Sequence, residues 1–273
     1  MMKTGCSCML SLVMLLVSGV SWAQSSFSVM DYQMLQKPMV ATKPFQQTAW
    51  VKLACQNDYF LKELTNAELE GTILFGKRHA LTCHLTHDGY SRYGVLNVSL
   101  GYALKMGGKF ACGIQYHYMY HHVMNAGGMH SICFDISLCA QLGRKFFAAV
   151  EVYNPACLKY GIKGKDVIPL RFTIMMNYTY SEKLLFTVRL FKQLPGKFDV
   201  ELGVFYRPKD FFYVSFALSL YEAGVGVMFR CRSVYFTTKI SYNYNLGCSP
   251  QVGVILKINR LTAGKLHHNR EED

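Results

Sequence analysis

"VLNVSLGYALKMGGKFACGIQYHYMY", residues 95–120, separates into two sequences when every second residue is taken. Leu96, Val98, Leu100, Tyr102, Leu104 and Met106 form one set, and Val95, Asn97, Ser99, Gly101, Ala103 and Lys105 form the other. After Gly107 and Gly108 the split resumes: Phe110, Cys112, Ile114, Tyr116, Tyr118 and Tyr120 alternate with Lys109, Ala111, Gly113, Gln115, His117 and Met119. Successive side chains of a strand point to opposite faces, so this is a hairpin with one apolar face and one small, polar or charged face.

The same two-sided pattern continues outward from this hairpin. Phe198, Val200, Leu202, Val204 and Tyr206 oppose Lys197, Asp199, Glu201, Gly203 and Phe205; Val234, Phe236, Thr238, Ile240 and Tyr242 oppose Ser233, Tyr235, Thr237, Lys239 and Ser241. Candidate strands fall at 50–55, 71–75, 79–86, 95–106, 109–122, 130–141, 145–153, 170–180, 184–193, 198–206, 212–220, 224–231, 233–244 and 251–258. Turn signals separate them: Gly107-Gly108, Gly127-Gly128, Pro195-Gly196, Pro208 to Asp210, and Gly247 to Pro250, with Asp88-Gly89 beside His87 as a further turn. A short helix is expected over 63–70.

Alternation also fits a soluble sandwich. Three features favour a membrane: strands of about 9–12 residues, the length that crosses a bilayer when tilted; tyrosines at strand ends, such as Tyr116, Tyr118, Tyr178, Tyr180, Tyr242 and Tyr244; and an export signal. Unpaired backbone groups are intolerable in hydrocarbon, so such strands must close. The expected fold is an all-β transmembrane antiparallel β-barrel of about fourteen strands, with twelve as the alternative count. The apolar set faces lipid and the polar set lines the interior.

The export signal is read at the N-terminus. Lys3 precedes an apolar run, "MLSLVMLLVSGV", and Ser21-Trp22-Ala23 offers a small-x-small cleavage pattern before Gln24. The run is too short for a comfortable helical span. The expected organisation is a cleaved signal peptide over 1–23, an irregular lead-in or plug over 24–48, one barrel domain over 49–258 and a polar tail over 259–273. Export in a bacterial barrel protein implies the cell outer membrane, with its lipids as partners.

Composition agrees with this class. Charged residues are 17% of the 273-residue chain, low for a soluble domain, and Tyr and Phe number 18 each. The formal charge is +12, which attracts anionic surfaces. No Lys/Arg run with interleaved aromatics forms a reading face, so no nucleic-acid partner is expected, and the charges are read as turn and headgroup charges. Eight cysteines follow the signal: Cys55, Cys83, Cys112, Cys133, Cys139, Cys157, Cys231 and Cys248. Their even number permits disulfides, free thiols fit equally, and no CxxC pair supports zinc.

Parity assigns the lumen-facing candidates: Lys105, Lys109, Gln115, His117, Asp135, Glu151, Arg171, Arg189, Asp199, Glu201 and Lys239. These charges either select solutes in a pore or pair with one another and fill the lumen. His117 and His121 share a face with His84 nearby, while His122 and His130 cluster near a turn. Positions i and i+4 on a strand are ~13 Å apart, too far to share an ion, so no metal and no cofactor is expected. No GxSxG occurs and nothing in the sequence pairs a serine with a histidine base, so no catalytic residue and no enzyme activity is expected.

The second half also carries a recurring layout: Asn154-Pro155, a strand opening after Pro169, a strand ending in Lys192, Gly203 with Phe205-Tyr206, Gly224 with Gly226, and Leu246-Gly247 before the last strand. Over 71–258 this resembles the outer-membrane barrels associated with type IX secretion in the Bacteroidota, which are related to the long-chain fatty-acid transporter barrels. The resemblance implies a fourteen-stranded barrel that passes apolar small molecules or handles secreted cargo with secretion-machinery proteins. "ACQNDYF" stands where those barrels carry an Asn-Pro-Ala element, and "NRLTAGKLHHNREED" follows the last strand. Three functions are therefore expected in order: a transport, binding or secretion-accessory barrel; a structural barrel with a blocked lumen that anchors partners; and a lipid-acting barrel enzyme.

Overall fold

The computed structural model describes residues 39–46, 48–76, 78–90, 92–124, 127–160, 167–196 and 198–258. The signal peptide, positions 24–38 and 47 of the lead-in, and the tail lie outside the described residues. Fourteen strands follow one another: β1 (Ala49–Asn57), β2 (Thr65–Phe75), β3 (His79–Gly89), β4 (Tyr93–Met106), β5 (Phe110–Val123), β6 (Gly127–Gln141) and β7 (Phe146–Tyr153). The second seven are β8 (Leu170–Ser181), β9 (Leu184–Leu194), β10 (Phe198–Lys209), β11 (Phe212–Ser219), β12 (Glu222–Cys231), β13 (Val234–Asn243) and β14 (Gly247–Ile258). Each pairs antiparallel with its sequence neighbours, and β1 closes on β14 from Ala49 opposite Ile258 to Gln56 opposite Gln251.

Closure leaves no free sheet edge, and the two faces separate by parity as the hairpin indicates. On β4 Leu100 is 56% exposed while its neighbour Ser99 is fully covered. Tyr116, Ile132, Leu138, Leu202, Phe216, Phe236 and Ile240 all point outward from their strands. An apolar girdle of this kind is covered by hydrocarbon, each Leu-sized side chain removed from water contributing about 2 kcal/mol.

The two mouths differ. Ala49 and Ile258 mark the terminal mouth, where six tight turns join β2 to β3 and each later even strand to the next. Arg78, Lys109, Arg144, Lys145, Lys183 and Lys209 stand exposed there. Lys109 is thus corrected from a lumen position: it belongs to the turn after β4, where its carbonyl accepts from the Gln141 N–H. The opposite, loop mouth carries the longest connections, 58–64 and 154–169.

Several expected boundaries move. The helix over 63–70 is instead a 3-10 turn, Lys62–Leu64, followed by β2 from Thr65. Glu68 and Glu70, within the expected helix, point into the barrel from β2, where Lys52 and Lys43 meet them at 2.8 and 2.7 Å. Asp88-Gly89 ends β3, Gly127-Gly128 opens β6, and Pro208 lies in β10 beside a bulge between Tyr206 and Lys209. Gly247 to Pro250 belongs to β14, with Pro250 opposite Ile240, so the turn falls one step earlier at 244–246. All eight cysteines are free thiols.

The terminal half of the lumen is filled. A 3-10 segment, Val40–Phe45, lies inside the barrel against the inner faces of β3, β4, β5 and β6, with Val40 to Pro44 all buried. Beside it Trp50, Leu185, Phe205, Tyr213, Met228, Tyr235 and Ile255 form an apolar floor drawn from β1 and β9 to β14. Room for the plug is made by missing side chains. A Cβ on Gly113 would lie 2.8 Å from the Ala41 backbone nitrogen, and one on Gly101 would meet Thr82 and Val40.

Candidate functional site

The plug is held by few contacts, most of them between groups that the chain presents far apart. The Ala41 N–H donates to Ser137 Oγ at 3.0 Å, and Cys139 Sγ lies 2.8 Å from the Ala41 carbonyl. Phe45 packs edge-on against Phe147, with centroids 5.5 Å apart. Lys105 Nζ stands 4.4 Å from the centre of the Phe45 ring. The strongest contact is Lys43 Nζ to Glu70 Oε1 at 2.7 Å, with side chains 1% and 3% exposed. Lys43 also stands 4.3 Å over the Trp50 ring, and the Trp50 indole N–H donates to Gln46 Oε1 at 2.7 Å. Burial pulls the Lys43 ammonium below its ordinary pKa, opposed by Glu70. Glu70 Oε2 has no hydrogen-bond partner among the described residues.

Above this floor, toward the loop mouth, lies a cavity of about 400 Å³. Its lower wall is Val40 and Lys43 of the plug, and its sides carry Glu68, Glu70, His84, Gln115, His117, Asp135, Glu151 and Arg171. Tyr160, Ile168 and Pro169, from the described ends of the 154–169 connection, line it as well. Asn154 ties those ends together. Its backbone takes a left-handed φ of 54°, and its buried amide donates to the Ile168 carbonyl at 2.6 Å while Oδ1 accepts from the Leu158 N–H at 2.9 Å. Burial pushes the Tyr160 phenol in this loop above its ordinary pKa.

Most of the lumen charges are paired. Glu68 takes Lys52 at 2.8 Å and His84 Nε2 at 3.2 Å. Arg189 reaches Glu201 at 3.2 Å. His117 Nε2 lies 2.7 Å from Asp135 Oδ2, and Ser99 Oγ lies 2.7 Å from His117 Nδ1. With the ring proton on Nε2 donated to Asp135, Nδ1 accepts the Ser99 hydroxyl proton. Closure of β4, β5 and β6 thus brings together a serine, a histidine and an aspartate that the sequence does not show to be linked. The Ser99 hydroxyl has no exposed surface, so a solute in the cavity meets His117 and Asp135 but not the serine oxygen. The row's evident role is to tie three strands across the lumen wall.

Parity places Lys105, Gln115, His117, Asp135, Glu151, Arg171, Arg189, Glu201 and Lys239 on the inner face, and the cavity gathers Gln115, His117, Asp135, Glu151 and Arg171 of these. Asp199 sits at the loop rim, where Oδ1 accepts from the Val200 and Leu220 N–H groups and fixes the end of β11. Lys43, Glu68, Glu70, Asn97, Tyr153 and Gln193 line the cavity without having been singled out from sequence. For Asn97 and Gln193 strand parity was a sufficient signal. Lys43 had none, because the plug has no period. No group of three His, Cys, Asp or Glu among the described residues is arranged to hold a metal ion. His121 instead meets Tyr160 edge-on, and His130 stacks with Tyr118 and Tyr120.

No protein-family model matches the sequence, and no curated protein matches it. Solved structures do share the fold. The chain is similar to the CymD monoaromatic hydrocarbon channel, with a TM-score of 0.64 and 11% identity over 87% of this chain and 95% of that one. It is also similar to the toluene transporter TbuX of Ralstonia pickettii, with a TM-score of 0.61 and 10% identity over 87% and 96%. The TodX deltaS2S3 mutant monoaromatic hydrocarbon channel gives a TM-score of 0.61 and 9% identity over 82% and 93%. At such identity these likenesses establish the closed barrel and its plan. The resemblance over 71–258 has its barrel in common with them; its link to type IX secretion and to fatty-acid transporters finds no counterpart among these structures.

Proposed function

We propose that the protein is an outer-membrane channel that admits small polar solutes through the loop mouth and is stopped at the terminal mouth by the 40–45 plug. The observation that carries this reading is the construction of the stop. It is a segment outside the strand ladder, seated on one buried ion pair and a few side-chain contacts, so it can leave without breaking the barrel. A lumen meant only to be filled would be closed by strand side chains, as β9 to β14 already close their side with the aromatic floor. The outward apolar girdle and the export signal read at 1–23 support the outer membrane as its place.

A second reading keeps an apolar solute. The cavity has a less polar side formed by Val40, Tyr153, Tyr160 and Ile168, and hydrocarbon channels share the barrel plan. Glu151 and Arg171, which flank Tyr153 on the same β7–β8 wall, favour the polar solute, because an apolar molecule there removes water from two charges and returns no hydrogen bond. The secretion-accessory role is carried by the motifs over 71–258 alone.

Planar-bilayer recording of the purified mature chain tests the channel. Low basal conductance that rises on loosening the plug supports it. A plug-loosened barrel that remains folded and silent favours the blocked anchor instead.

A further inference from the structure

Once the lumen contacts are assigned, two charged cavity residues have no hydrogen-bonded partner among the described residues. Glu68 has Lys52 and His84, Glu70 has Lys43, and Asp135 has His117. Glu151 and Arg171 also line the cavity, and among the described residues Glu151 takes part in no hydrogen bond or ion pair. Arg171 is engaged by the face of Tyr153, 5.0 Å away, which leaves its guanidinium N–H groups free to donate in the ring's periphery. The two residues sit on adjacent strands, two residues out of register. Tyr153 is opposite Arg171 and Glu151 is opposite Thr173. Diagonal neighbours of this kind have Cβ atoms about 7 Å apart, close enough to face one small molecule; with the Arg171 guanidinium turned onto the Tyr153 ring, no ion pair joins the two residues.

From this we infer a binding site for a small zwitterion, an α-amino acid with an uncharged polar side chain. Its carboxylate takes the Arg171 guanidinium, which suits a planar anion, and its ammonium takes Glu151. Either charge alone satisfies one wall residue and leaves the other dehydrated, so a monocation or monoanion of the same size is disfavoured. Asn97, Gln115 and Gln193 face the same space with amide donors and acceptors, which suits a polar side chain rather than an aliphatic one. A cavity of about 400 Å³ is within the range of small-molecule sites and holds one such solute with some water. The plug's Lys43 forms part of the floor but is occupied by Glu70, so binding does not require the plug to leave.

This site deepens the channel reading, and its test is separable from conductance. The full mature chain in detergent micelles is titrated calorimetrically with L-glutamine, with glutamine methyl ester, which retains the cation alone, and with N-acetylglutamine, which retains the anion alone. The zwitterion is expected to saturate, with each single-charge derivative about tenfold weaker or worse. Arg171→Gln is expected to erase the preference over the methyl ester, and Glu151→Gln the preference over the acetyl derivative. Heat-modifiable gel migration verifies that each variant is folded, and the unmodified protein with the ligand series needs no variant at all. Absence of saturation by glutamine at millimolar concentration, or equal binding of all three probes, overturns the assignment. If glutamine fails while a plug-loosened barrel conducts, the site is wrong and the channel stands; if glutamine binds while that barrel is silent, the reverse holds.

Discussion

Lys43→Met is the perturbation on which the gated-lumen reading turns. The substitution retains an unbranched side chain of similar reach and removes the ammonium. Glu70 is then left 3% exposed with neither oxygen partnered, because Oε2 already lacks a partner among the described residues. Removing one member of a buried ion pair costs about 3–5 kcal/mol, most of it the stranded charge. The lost contact over the Trp50 face adds about 1 kcal/mol. Glu70 relieves part of this by taking up a proton, which brings the net cost to about 3 kcal/mol. The strain falls on the seated plug rather than on the barrel, since Glu70 regains water as soon as Val40–Phe45 leaves the lumen. At 1.4 kcal/mol per factor of ten, the population of the unplugged state rises by roughly two orders of magnitude.

Open probability in planar bilayers reads that population directly. Lys43→Met is expected to open about a hundred times more often than the parent at equal protein load. Adding Glu70→Leu in the same chain removes the stranded carboxylate and leaves an apolar contact of similar volume, which restores seating and silences the channel. If the single variant is folded by heat-modifiable migration and conducts no more than the parent, the ion pair does not hold the plug. If the double variant conducts as freely as the single one, the stranded charge is not the cause of opening.

Three further outcomes follow from the same geometry. Gly113→Val places a Cβ 2.8 Å from the Ala41 backbone nitrogen and 3.0 Å from Ser137 Oγ, an overpacking of about 1–3 kcal/mol; bilayer recording should show a partial rise in conductance, and an unchanged trace from folded protein contradicts the seating. His117→Ala leaves buried Asp135 without its partner and is expected to lower unfolding stability by about 3 kcal/mol, against about 1 for Ser99→Ala, whose hydroxyl also reaches Asn97 at 3.3 Å; equal losses in urea titration of liposome-inserted protein refute the ordering. Leu100→Arg puts a charge in the girdle and should destabilise the inserted barrel by about 2–4 kcal/mol, with Leu100→Phe near neutral, so an arginine tolerated as well as phenylalanine places β4 away from lipid.

The strands were legible because the period-two signal is local. Residues 95–120 show both faces without any knowledge of what they pack against, and parity alone puts Gln115, His117, Asp135, Glu151 and Arg171 indoors. Misreadings occur where the same local logic meets a non-local partner. Residues 63–70 read as a short helix, whereas Glu68 and Glu70 are strand residues whose cations lie 16 and 27 positions away, on β1 and on the plug. Lys109 shows the opposite error: alternation was extended one residue too far into a turn. The Ser99, His117 and Asp135 row is separated by 18 positions at each step, a spacing that acquires meaning only when the hairpin registers are known.

The plug has no pattern of its own, yet the wall around it carries one. Most inner positions next to the terminal mouth on β3 to β7 are small, Ala80, Ala103, Ala111, Gly113, Ser137 and Ala149, with Phe147 as the bulky exception that packs on Phe45 of the plug. The matching positions on β9 to β13 are bulky: Leu185, Phe205, Tyr213, Met228 and Tyr235. A lumen packed to ordinary protein density cannot be lined by alanine and glycine on one side unless another element occupies the space. That asymmetry is present in the sequence once parity is assigned, and it says that something enters from the small-residue side. Val40 and Ala41, themselves small enough to pass close to Gly101 and Gly113, are what enters. A wall built of glycine and alanine holds its guest by shape and a few polar contacts, whereas the aromatic side holds itself. On the proposed channel reading the barrel has one permanent half-stopper and one removable half-stopper, and the buried Lys43 to Glu70 pair is the contact whose loss should release the second.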